Sequence, residues 1–420
     1  MEMFIVYFIL VTGLINLVHF CAYITGANIY DIQQIRKDSV RKQARRRRHT
    51  PLVSVLVPAH NEELTIIRTL DSIRTNTQRK IEIIVIDDAS TDNTYRLVKG
   101  YIAEHPSRSI RIIRKRKNAG KGEALNTALR RYARGELIMT LDADSIIDRY
   151  AIKRAVAHFD DPRVVGMAAN VRILDDESIL GLVQKFEHMI GYRSKKFYSI
   201  TNSEFIIGGV ASTYRRSTIS KVGFYDTDTV TEDIGLSLKV VSEGNKDQRI
   251  VYAADVAAMT EGVGSFSDLL KQRYRWKMGS VQNLIKHRAL FANNSDKYSR
   301  MLTWYRIPLA FIGEILLILE PLSLLYILAL SIRLENPVLF VASYMTISAY
   351  ILWSVWPDEH MKTQEKLRMT LYVPVMYFLL FIMNVVQIVA AVRCIRNANL
   401  VINRSGSTWV SPKRHAKPAS

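Results

Sequence analysis

Four short apolar runs, each closing in polar residues, limit the architecture of this chain more than any other feature. They cover residues 53–57, 81–86, 110–113 and 137–141. Each has strand length and is too brief for an ordinary helix. After the first, Ile66, Ile67, Leu70 and Ile73 recur at helical spacing; before the fourth, Ala124, Leu125, Ala128, Leu129 and Tyr132 do the same. Asn61 is placed to cap the first of these helices, with Glu62 and Glu63 in its opening turn. Strands alternating with amphipathic helices predict an α/β domain around a mostly parallel, doubly wound sheet.

Ligands of such sheets bind beyond the carboxyl ends of the strands. Three polar clusters fall there: Pro58 to Glu62, Asp87 to Asp92, and Asp142-Ala143-Asp144. In an extended segment residues i and i+2 share a side, so Asp142 and Asp144 could face one hard cation. A solvated acidic turn is the other reading of that tripeptide. Asp87 and Asp88 could equally cap a following helix. No G-x-G-x-x-G follows the first strand and no Walker lysine is present, which disfavours dinucleotide and P-loop enzymes.

Membrane-length runs flank this domain. Residues 3–24, 337–356 and 370–392 are apolar and long enough to span a bilayer, and residues 307–332 are long enough but carry Glu314 and Glu320. The first run reads as an anchor rather than a signal peptide, because its basic cluster follows it. The net charge of +19 would suit a nucleic-acid binder, but Arg36, Lys37, Arg41, Lys42 and residues 45–48 crowd just after the first run. That is a cytoplasmic juxtamembrane pattern, suited to anionic lipid. The two cysteines, Cys21 and Cys394, lie in or beside apolar runs and offer neither a disulfide framework nor a metal site. The expected organisation is an N-terminal span (1–25), a basic linker (26–50), a cytoplasmic domain (51–300), spanning or interfacial helices (301–392) and a basic tail (393–420). Four crossings would leave both termini outside, whereas the basic tail favours the inside.

Further along come Gly208-Gly209, Thr231-Glu232-Asp233 and Gln272-Arg273-Tyr274-Arg275-Trp276. Paired glycines permit close backbone approach to a ligand or a tight turn. Gln272 and Trp276 share a helix face, with Arg275 beside Gln272. Taken in order with Val57 to Glu62, Asp87 to Asp92, Gly120-Lys121 and Asp142-Ala143-Asp144, the set resembles the processive, membrane-embedded family 2 glycosyltransferases. The motifs cover roughly residues 53–279. Within that family the chain looks most like bacterial poly-β-1,6-N-acetylglucosamine synthases, through its single N-terminal span, its Thr-Glu-Asp motif and the tail Thr408-Trp409-Val410-Ser411-Pro412. Lys277-Met278 stands where Ala-Gln is expected, which leaves chitin-like and hyaluronan-like products open.

The resemblance implies a GT-A-type nucleotide-sugar domain in the plasma membrane, multi-pass, with its catalytic part cytoplasmic. Pro58, His60, Asn61, Glu62, Asp87, Asp88 and Lys121 would bind the donor nucleotide. Asp142 and Asp144 would ligate Mg²⁺ or Mn²⁺. Asp233 would be the general base with Glu232 in support, and Gly208, Gly209, Gln272, Arg275 and Trp276 would hold the acceptor. Glu314 and Glu320 become candidate channel residues, since carboxylates within a membrane usually face a polar path. The implied partners are a UDP-sugar, the growing polysaccharide, the bilayer and a small membrane subunit, with no nucleic acid. The expected reaction polymerises N-acetylglucosamine from UDP-N-acetylglucosamine and couples it to export. A non-processive lipid glycosyltransferase and an inactive membrane scaffold are the alternatives.

Overall fold

The computed structural model describes residues 2–43, 50–78, 80–106, 109–174 and 178–402. After α1 (Glu2–Gln43), strands and helices alternate: β1 (Val53–Ala59), α2 (Ile66–Arg74), β2 (Ile81–Asp87), α3 (Thr94–Glu104), β3 (Ser109–Arg114), α4 (Lys121–Arg131) and β4 (Leu137–Thr140). A less regular stretch follows, through β5 (Ser145–Ile147), α5 (Ala151–His158), β6 (Val164–Ile173), α6 (Ile179–Ile200) and β7 (Ser212–Arg215). It continues with α7 (Arg216–Lys221), α8 (Glu232–Glu243), β8 (Arg249–Thr260) and α9 (Phe266–Lys286). Helices α10 (Ile307–Arg333), α11 (Val338–Val355), α12 (Thr363–Arg396) and α13 (Ala398–Ile402) close the described chain.

The strands form one sheet in the order β3-β2-β1-β4-β7-β6-β8-β5. Period-two alternation explains why both its faces are dry. Val53, Val55, Val57, Ile83, Val85, Leu137 and Met139 pack on one side with Ile66, Leu70 and Ile73 of α2. Leu56, Ile84, Ile86 and Ile138 pack on the other with Ala124, Leu125, Ala128 and Leu129 of α4. The sheet is mixed: most of its strands run parallel, as expected, and two, β7 and β5, run the other way. Strands β1 to β4 pair in parallel, but β7 runs antiparallel to both β4 and β6, and β5 antiparallel to β8. β6 and β8 are parallel to each other, with register shifts at Val164/Gly166 and Ala169/Asn170.

Three local expectations also change. α2 begins at Ile66 behind Thr65, and Asn61, beyond the end of β1, takes φ 56, so Asn61 turns the chain after the strand rather than capping the helix. Asp142-Ala143-Asp144 is a turn closed by the Ser145 N–H on the Asp142 carbonyl (3.0 Å), not extended chain. α1 runs on through the segment expected as a linker as far as Gln43, while residues 45–48 and the tail 403–420 lie outside the described residues. The inner part of α1 lies along α6. The Tyr30 hydroxyl donates to the Tyr252 carbonyl (2.8 Å), and Lys196 pairs with Asp31 (2.5 Å). Among the described residues, two helical segments are long and apolar enough to cross a membrane, Leu10–Lys37 and Thr363–Arg396, with Phe340–Val355 a shorter apolar one. Glu314 and Glu320 belong to α10, but their side chains fall outside the described residues.

Candidate active site

The loops after β1, β2 and β3 are tied into one unit at the end of the sheet. The Asn61 N–H donates to Ser90 Oγ (3.0 Å), the Thr91 N–H to Asn61 Oδ1 (2.8 Å), and the Glu62 N–H to Thr94 Oγ1 (2.8 Å). Asp87 and Asp88 are fully buried. Asp87 accepts from the Ser90 N–H (2.9 Å) and faces Arg114 (3.4 Å). Asp88 accepts from the Gly120 N–H (2.9 Å), lies within 3.2 Å of the Ala119 N–H and pairs with Lys115 (2.7 Å). His60 bridges the Asp88 carbonyl (2.9 Å) and Asn118 Nδ2 (3.2 Å). These contacts set the bend at Gly120, whose φ of 88 suits glycine, and α4 starts at the next residue.

Beyond these loops lies a cavity of about 540 Å³. Pro58, Glu62 and Lys121 line it, as do Asp142, Asp144, Gly208, Gly209, Glu232, Asp233, Gln272, Arg275 and Trp276. His60, Asn61, Asp87 and Asp88 do not line it; their contacts hold the loops that do. Of the residues singled out in the sequence, the cavity therefore gathers those after β4 and on α4, α8 and α9, together with Pro58, Glu62 and Gly208-Gly209.

Its centre is a lysine among carboxylates. Lys121 Nζ lies 2.6 Å from Asp142 Oδ1 and 3.3 Å from Glu232 Oε1. Burial opposes the charge on Lys121, but Asp142, Glu232 and Asp233 outweigh it and raise the pKa. Asp233 is pushed up to about 6 by burial and by Glu232, against the pull of Lys121 and the Ile234 N–H that donates to its Oδ1 (2.8 Å). Gly209 gives this cluster its room. A Cβ there would stand 2.7 Å from Lys121 Nζ, 3.5 Å from Asp233 Oδ2 and 3.6 Å from Asp142 Oδ2. At Gly208 an added Cβ would meet nothing within 4 Å.

The donor set suits a divalent ion shared with a ligand. Asp142 and Asp144 offer oxygens to one cavity from a single turn, and the cluster already accommodates a positive group in Lys121. Among the described residues, no three His, Cys, Asp or Glu side chains are arranged to hold a metal alone. Mg²⁺ is commonly held by one or two carboxylates plus substrate phosphates, so two protein carboxylates fit.

The opposite wall comes from α6 and α9. The guanidinium carbon of Arg273 lies over Trp276, 4.3 Å from its ring centroid, and Arg273 is held by Glu187 at 2.6 Å. Burial raises the Glu187 pKa against the pull of Arg273. His188 is lowered to about 4 by burial, with Arg273 and Lys195 adding to it. His188 and Lys195 carried no expectation and the stretch Gln184 to Glu187 no assigned role, although the four residues Gln184, Glu187, His188 and Lys195 share one face of α6. Arg273 lies within the Gln272 to Trp276 stretch, and its part follows from its contacts with Glu187 and Trp276.

Known proteins share part of this sequence and this fold. Residues 54–223 match Glycosyl transferase family 2. The chain is 32% identical over 237 residues to the poly-β-1,6-N-acetyl-D-glucosamine synthases of Staphylococcus aureus (strain COL) and Staphylococcus epidermidis (strain ATCC 35984), covering 56% of this chain and 56% of theirs. It thus spans about half the length of the curated relatives it matches. Its fold is similar to that of the mannosyltransferase PcManGT from Pyrobaculum calidifontis, solved with GDP-Man and Mn²⁺. The TM-score is 0.52 at 22% identity, over 81% of this chain and 98% of that one. Over residues 54–223 the chain is similar to family 2 glycosyltransferases, and its fold is of the GT-A kind.

Proposed function

We propose that this protein is a processive, inverting glycosyltransferase that polymerises N-acetylglucosamine from UDP-N-acetylglucosamine at the membrane. The observation that carries the reading is the single cavity in which Lys121, Asp142, Glu232 and Asp233 meet Gln272, Arg275 and Trp276. The similarity to poly-β-1,6-N-acetyl-D-glucosamine synthases supports the choice of sugar.

In this reading the nucleotide lies against Pro58, Glu62 and Lys121. His60, Asn61, Asp87 and Asp88 act from behind, by fixing the loops that receive it. The acceptor's terminal ring rests on Trp276, and its hydroxyl points toward Asp233. Asp233 accepts the hydroxyl proton as the oxygen bonds to the anomeric carbon and the bond from that carbon to UDP breaks on the opposite side. The α-linked donor becomes a β-linked product, and UDP leaves with the bonding electrons. A positioned carboxylate base contributes on the order of 10²- to 10⁴-fold. Glu232 raises the Asp233 pKa and Lys121 lowers it, and Arg275 suits the diphosphate as a bidentate donor. A divalent ion at Asp142 and Asp144, Mg²⁺ or Mn²⁺, would neutralise charge on the departing diphosphate. Gly208 and Gly209 leave room for sugar beside the cluster. The apolar segments of α1 and α12 give the domain its bilayer, and α10, with Glu314 and Glu320, is the candidate export path. A small membrane subunit is the remaining candidate partner.

The test is synthesis by the purified protein from labelled UDP-N-acetylglucosamine and Mg²⁺ or Mn²⁺, with linkage analysis of the product. High-mass β-linked polymer is expected. Single-sugar lipid products would overturn processivity, and no transfer from any UDP-sugar would overturn the enzymatic reading.

A further inference from the structure

α9 grips the α8 entry as well as lining the cavity. One turn beyond Trp276, it meets Val230 and Thr231, the two residues before Glu232-Asp233. Gly279 is the point of closest approach. A Cβ there would fall 2.2 Å from Thr231 Oγ1, so only glycine lets the two segments touch. Asn283 Nδ2 reaches the Thr231 carbonyl (3.0 Å) and Thr231 Oγ1 (3.1 Å), and also the Gly279 carbonyl (3.0 Å). Gln282 Oε1 accepts from the Val230 N–H (3.0 Å), while its Nε2 donates to the Leu400 carbonyl of α13 (3.2 Å).

Two features set this contact apart from ordinary packing. Gln282 and Asn283 are both fully buried, where amides are costly unless their partners are specific. Thr231 stands at the N-cap of α8, yet its side chain makes no capping bond to that helix. Its hydroxyl turns to Asn283 instead. The start of α8, and with it Asp233, is therefore placed by α9 rather than by its own cap.

We propose that Gly279, Gln282 and Asn283 are positioning residues that hold Asp233 at a fixed distance from the acceptor platform on the same helix. This rests on the reading of Asp233 as the base and Trp276 as the platform. A rigid strut between the two sets which acceptor hydroxyl meets the base after each addition. Misplacement of reacting groups by about 1 Å can cost roughly 10²-fold in rate.

The test uses the full-length protein with defined acceptor oligosaccharides and UDP-N-acetylglucosamine. Asn283→Ala should lower kcat about 30-fold or more, with donor and acceptor KM and the calorimetric Kd for UDP each within about twofold. A kcat within about threefold of wild type overturns the proposal. A parallel loss of UDP affinity also overturns it, since that marks general loosening of the domain. Should Asn283→Ala fail to fold, Gln282→Ala decides by the same criteria. Wild-type protein that transfers no sugar would instead overturn the function on which the proposal rests.

Discussion

The two halves of the cavity are built on opposite principles. On the nucleotide side, buried carboxylates are paired with cations of the protein: Asp87 faces Arg114, and Asp88 engages Lys115, Ala119 and Gly120. On the sugar side, α6 and α9 hold groups in reserve. Gln272 Oε1 is buried with no hydrogen-bond partner among the described residues, and Trp276 is fixed on one face by Arg273. A half that receives the same nucleotide every cycle gains from being preorganised. In the proposed polymerisation, a half that must release and receive successive sugars would keep its donors and acceptors available.

The largest test of that contrast is at the junction. Asp233→Asn should remove about 10²- to 10⁴-fold of turnover while UDP binding, measured by calorimetry, stays intact; weakened UDP binding would put Asp233 on the nucleotide side instead. Next comes Asp88→Asn, which leaves Lys115 without its counter-charge. It should destabilise the protein by about 2 kcal/mol, seen as a lower melting temperature, and raise donor KM without touching acceptor KM. Equal changes in both constants would erase the distinction between the halves. Smaller still, Glu187→Gln loosens Arg273 over Trp276. Acceptor KM should rise roughly three- to tenfold, the scale of a cation–π contact, with donor KM unchanged in steady-state assays.

The sequence showed one half better than the other. Buried strands with period-two alternation and helices with a clear apolar stripe made β1 to β4, α2 and α4 readable, because each is specified by local pattern. β5 and β7 are three and four residues long, too short for any period. β6 and β8 carry register shifts where they pair. The antiparallel return through β7, which makes the sheet mixed, is a tertiary event with no local signal. The same division runs through the site. Gln272, Arg275 and Trp276 could be placed together from helical spacing alone. Lys121 meeting Asp142, Glu232 and Asp233 joins three separate segments, and only the fold brings them together. Asp142 and Asp144 share the cavity, though through a turn rather than the extended geometry that first suggested it.

The central claim is that a carboxylate held between burial and Lys121 performs the proton transfer, and its pH dependence tests that most directly. Burial and Glu232 raise Asp233 to about 6. Protonated below that value, Asp233 cannot accept the acceptor's proton; ionised above it, it can. The rate of sugar transfer should therefore climb about tenfold per pH unit up to about 6 and level off above it, as a general base requires. The residual rate of Asp233→Asn should lack that limb. A wild-type rate that is flat between about pH 5 and 7, or a limb that survives in Asp233→Asn, would contradict the assignment.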